Sequence, residues 1–69
     1  MKMNEIKERL EIVLCDASYA SLPSVIKEVK KARDVAEKTC NNLVVAEFDQ
    51  VLRNLDLARI SLQAIMDIQ

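Results

Sequence analysis

Apolar residues along this chain recur at alternating steps of three and four, the spacing that keeps side chains on one face of an α-helix. Met3, Ile6, Leu10, Val13, Ala17 and Ala20 form the first such row. Leu22, Val25, Val29, Ala32, Ala36 and Thr39 form the second. Val44, Phe48, Val51, Leu55, Ala58, Leu62 and Ile65 form the third. The rows predict three amphipathic helices, over about residues 4–20, 23–40 and 43–68.

Local chemistry marks where each helix starts and stops. Asn4 suits an N-cap, and Glu5 and Glu8 suit the positive end of a helix dipole. Pro23, within Ser21-Leu22-Pro23-Ser24, cannot continue a helix but is well placed to open one, with Ser21 or Ser24 as cap. It predicts a chain reversal that sets the first two helices antiparallel. Asn41-Asn42 is the next break, because Asn tolerates caps and left-handed geometry. Glycine and a second proline are absent there, so a continuous helix from Ser24 to Ile68 is the competing expectation. The third helix, at about 39 Å, outlasts the roughly 26 Å of the others and overhangs a hairpin made by the first two.

Composition supports the helical reading. The chain has 69 residues, enough for one domain, and a chain this short buries only about 60% of its unfolded surface. Half the residues are hydrophobic, yet Tyr19 and Phe48 are the only aromatics, glycine is absent and Pro23 is the sole proline. A β-protein needs more turn residues and more aromatics. The expected fold is therefore all-α: an antiparallel helical hairpin or three-helix bundle. Net charge is −1, so no global field draws the chain to nucleic acid or to an anionic membrane. No apolar run approaches the roughly 20 residues of a membrane span. Met1–Met3 lead straight into charged residues with no secretory pattern, and cysteines are few. The expected location is the cytoplasm.

Little in the chain can do chemistry. There is no histidine, no glycine-rich phosphate loop and no Ser/His/Asp set. The acids instead pair along helix faces at i,i+4, as in Glu5–Arg9, Lys7–Glu11, Lys30–Asp34, Arg33–Glu37, Asp34–Lys38 and Asp49–Arg53. No enzyme activity, cofactor or metal site is expected. In a hairpin about Pro23, Cys15 and Cys40 lie about 16 Å apart along the axis, too far for a disulfide. The second helix carries Lys27, Lys30, Lys31 and Lys38, a face that could meet phosphates. It lacks a grouped Arg, Asn and Gln set for reading bases. Nucleic-acid binding through these lysines is the alternative reading of function.

Surplus apolar surface is the most informative feature. Ile12, Cys15, Tyr19 and Leu22 fall on a second stripe of the first helix, opposite its seam. Leu57, Ile60, Ala64 and Ile68 form a second stripe of the third helix. One bundle of this size cannot easily cover both faces of two helices. The expected function is protein binding: an adaptor, chaperone or inhibitor that also pairs with itself as a homodimer through these stripes. Circular dichroism should report about three-quarters helix. A strand-rich spectrum would contradict the fold class.

Overall fold

The computed structural model describes residues 2–15 and 21–68. It is an all-helical bundle of three helices, α1 (Met3–Leu14), α2 (Leu22–Lys38) and α3 (Asn42–Met66), with no strand among the described residues. The helices contain 12, 17 and 25 residues.

The first helix departs most from expectation. It begins at Met3 behind an extended Lys2, so Asn4 lies inside the first turn and is not the cap. It ends at Leu14, where the expectation ran to about residue 20. Cys15 has φ −83° and ψ 145°, an extended conformation that stops the helix. Cys15 is itself a weak helix former, and a short helix with few tertiary contacts does not override it. Ala17, Tyr19 and Ala20 lie outside the described residues.

The second helix starts where the serines and proline place it. Ser21 is the N-cap, fully buried. Its Oγ accepts the Ser24 N–H at 3.3 Å and donates to Ser24 Oγ at 3.0 Å. Pro23 sits in the first turn, where its missing N–H has no intrahelical acceptor to lose.

Between α2 and α3 the chain does break at the asparagines. Asn41 caps α3, its Oδ1 accepting the Val44 N–H at 3.4 Å. The left-handed residue is not an asparagine, however, but Cys40, with φ 58°. Cys40 N–H donates to the Glu37 carbonyl and Asn41 N–H to the Ala36 carbonyl, both at 3.0 Å. This is the doubly bonded C-terminal motif in which glycine usually occupies the left-handed site. Thr39 Oγ1 donates to the carbonyls of Val35 and Ala36, so the last turn of α2 keeps its acceptors occupied.

This short connection, and not Pro23, makes the principal hairpin. It reverses the chain so tightly that α2 and α3 must run antiparallel side by side, and Arg33 of α2 reaches Asp49 of α3 across them. The expected hairpin of the first two helices is replaced by one of α2 and α3. The first helix packs chiefly on α3 and only lightly on α2. At 12 residues it is too short to cover α2 along its length.

The seams are also rotated from their expected positions. In α3 the half-buried residues are Val45, Phe48, Leu52, Leu55, Leu62 and Met66. Val44, Val51, Ala58 and Ile65, expected to face inward, are exposed. In α2 the half-buried positions include Ile26 and Arg33, and Ala32 is exposed. Of two adjacent rows, the hairpin buries Leu52 and Met66 in place of their neighbours Val51 and Ile65, the longer side chains burying more area per contact. In α1 the seam Met3, Ile6, Leu10 and Val13 faces inward as expected.

No large apolar side chain among the described residues is fully buried; Ala36, at 8% exposure near the hairpin turn, is the only buried hydrophobic one. The radius of gyration is 14.8 Å, against about 11 Å for a compact chain of this length. The molecule measures 48 × 19 × 15 Å.

Two substitutions test the turn chemistry. Cys40→Gly removes the steric cost of a left-handed β-carbon and should stabilise the fold by about 1 kcal/mol. Ser21→Ala removes the cap and should destabilise it by about 1 kcal/mol. Urea unfolding at fixed protein concentration measures both; a destabilised Cys40→Gly would contradict the assigned geometry.

Candidate interaction surface

The third helix presents apolar residues on almost every side, and the hairpin can use only one of them. On the far side lie Leu57, Ile60, Ala64 and Ile68, all exposed. Leu57, Ile60 and Ile68 leave 56%, 53% and 50% of their surface in solvent. Leu57, Ile60 and Ala64 of the stripe read from the sequence therefore form a solvent-facing row on α3, and Ile68 is exposed just beyond the helix end. The corresponding stripe of the first helix does not form one helical row. Ile12 is exposed on α1, Cys15 is exposed beyond the helix end, Tyr19 lies outside the described residues, and Leu22 is half-buried on α2.

The structure adds a surface that the sequence reading assigned to the interior. Val44, Val51, Ala58 and Ile65 of α3 stand beside the hairpin seam in solvent. Leu43, Val44, Phe48 and Val51 line a shallow depression of about 250 Å³ whose walls are almost wholly apolar. A second depression of about 430 Å³ is lined by Val25, Val29 and Ala32 of α2 together with Phe48, and Ser24, Lys27 and Glu28 of α2 complete its polar edge. Phe48 is common to both, so the two form one groove running from α2 onto α3. No residue of α1 lines either part. The signal for this surface was already in the period: Val45, Leu52 and Met66 stand one residue beyond Val44, Val51 and Ile65 and competed with them for the same seam.

Charged groups tie the hairpin and decorate its outside. Arg33 Nε donates to Asp49 Oδ1 at 2.5 Å and Nη1 to Glu37 Oε2 at 2.8 Å. Among the described residues this Arg33–Asp49 contact is the only ion pair that joins two helices; Lys31–Glu28 and Arg59–Asp56 lie within one. The hydrogen bond and charge of Asp49, with Glu37 adding less, raise the Arg33 pKa above its ordinary value. The guanidinium thus stays charged while its stem occupies a seam position. Asp49, expected to pair with Arg53, is bonded to Arg33 instead.

Lys27, Lys30, Lys31 and Lys38 are all exposed on α2, and Lys31 is paired with Glu28 at 3.3 Å. Asp34 stands among them on the same outer face, which dilutes the positive field that phosphate binding needs. Cys15 and Cys40 are free thiols. No group of three His, Cys, Asp or Glu among the described residues is placed to hold a metal ion. Nor is any described helix long and apolar enough to cross a membrane.

Compared with family models, curated proteins and solved structures, the chain matches none. The reading of its function rests on the surface itself.

Because Asp49 binds Arg33 across the hairpin whereas Glu37 binds it within α2, their removal should differ. Asp49→Ala should lower the thermal midpoint more than Glu37→Ala. Equal shifts in a thermal melt would show that the interhelical tie contributes nothing of its own.

Proposed function

We propose that this chain is a small protein–protein interaction module that self-associates through apolar helix faces and acts as an adaptor, chaperone or inhibitor of a protein partner. One observation carries the reading. Nine large apolar side chains are exposed among the described residues, five of them in one groove-side band and three in one stripe, while none is fully buried. A monomer that leaves so much contiguous apolar surface in water loses the main favourable term of folding. Covering that surface with another chain restores it.

The chemistry of the surface fits binding and not turnover. The stripe of Leu57, Ile60, Ala64 and Ile68 has the i, i+3, i+7 spacing by which an amphipathic helix enters a hydrophobic groove. Its occupant is read as a protein partner. Its two exposed thiols suit a reducing compartment such as the cytoplasm.

Sedimentation tests the self-association directly. The apparent mass should rise above 7.8 kDa with concentration and should not fall as salt is raised. Leu57→Asp and Ile60→Asp, made together, should weaken partner binding with helicity retained; truncating a well-buried anchor of this kind costs about 2–5 kcal/mol. A wild-type chain that is folded, monomeric at millimolar concentration, and unaffected in partner binding by the double substitution would contradict the proposal. Binding to polynucleotide that collapses steeply with salt would favour the lysine face of α2 instead.

A further inference from the structure

The hairpin leaves two apolar faces on α3, and they differ in what they can receive. We infer that the groove on the Val44–Val51 side, formed by Val25, Ala32, Val44, Phe48 and Val51, is closed by the same groove of a second copy of this chain. The far stripe of Leu57, Ile60 and Ile68 then stays open for a different protein. This inference rests on the reading of the chain as a self-associating module and names the surface that does it.

Three observations select a second copy as the occupant. The first is area. The chain exposes 5370 Å², whereas a folded monomer of its 7.8 kDa mass exposes about 4,400 Å². The excess, roughly 1,000 Å² per chain, matches the about 800 Å² that each partner buries in an interface of standard size. The second is where the excess lies. Val35, Leu43, Val44, Val51 and Ile65 are five of the nine exposed large apolar residues. At 100° per residue, all five fall on the side of their helices that faces this groove. In an antiparallel hairpin the matching sides of α2 and α3 point the same way, so the five form one band.

The third observation is the geometry of the band. Val44, Val51, Ala58 and Ile65 repeat every seven residues along the 25 residues of α3, which is the seam of a helix that packs against another helix. Such a face is self-complementary under a two-fold axis, because every residue of one copy meets the same set in the other. Two hairpins joined this way make a four-helix core from α2 and α3 of each copy. Glu28 on the α2 side, with Glu47, Asn54 and Ser61 on the α3 side, are all exposed and give the band the polar rim of a specific interface. Small residues at Ala32 and Ala58 let the backbones approach.

Val51→Asp places a charge at the middle of the band, on a side chain that is 42% exposed in the single chain. Sedimentation equilibrium should show the dimer weakened by about a hundredfold or more, with the helical circular dichroism signal retained at concentrations where α2 and α3 remain paired. Leu57→Asp and Ile60→Asp should leave the dimer unchanged. A labelling experiment covers the case in which Val51→Asp fails to fold. In a Cys15→Ser, Cys40→Gly background, Val51→Cys should react with maleimide more slowly as protein concentration rises, while Ile60→Cys should react at a constant rate. If Ile60→Asp dissolves the dimer and Val51→Asp does not, or Val51→Cys shows no protection in a demonstrated dimer, the groove assignment fails and the module reading stands. A wild-type chain that never associates overturns both.

Discussion

Two packed helices can bury only one narrow stripe each, and this chain carries more apolar rows than that. The constraint governs the rest of the structure. It decides that α2 and α3, joined by a three-residue connection, bury the longer of two competing rows. It leaves the shorter row of Val44, Val51, Ala58 and Ile65 in solvent, and it leaves Leu57, Ile60 and Ile68, away from that row, exposed as well. The first helix, 12 residues long, is too short to relieve the excess. Surface energy, not any polar constellation, is therefore what the molecule has to offer another chain.

The hairpin itself is held by specific local chemistry, which is why its shape does not depend on a large core. Cys40 accepts a left-handed backbone, Asn41 caps the following helix and Ala36 allows close approach beside the turn. Arg33 spans to Asp49 and fixes the register between the helices. Asp49 is exposed and Arg33 half-buried, so the pair contributes alignment more than stability. Fixed register matters to the surface: a slip of one residue would exchange the Val51 row for the Leu52 row and change which groove is presented.

Much of this was legible in the sequence. The absence of glycine, the single proline and the steps of three and four gave the all-helical class, the serine–proline start of α2 and the asparagine break before α3. The far stripe of α3 was legible too, because Leu57, Ile60 and Ala64 lie on the side of the helix away from the seam shared by Phe48, Leu55 and Leu62. What could not be read was a choice between neighbours. Rows one residue apart both satisfy the helical period, and the winner is set by side-chain length at the contact, a property of the packed pair. The end of α1 at Leu14 was missed for a related reason: period is a statement about a face, and it does not supply the helix propensity that Cys15 lacks. The pairing of helices was misjudged because Pro23 announces a turn without saying how closely the flanking helices then pack, whereas the Cys40–Asn41 connection leaves them no freedom.

The central claim is that the fold of one chain is completed by surface from another. Its most direct test is the thermal midpoint as a function of protein concentration. Binding that involves only the folded state raises stability by mass action, so the midpoint should climb steadily across a hundredfold range of concentration. A midpoint that stays constant over that range, in a protein whose sedimented mass remains 7.8 kDa, would contradict the account.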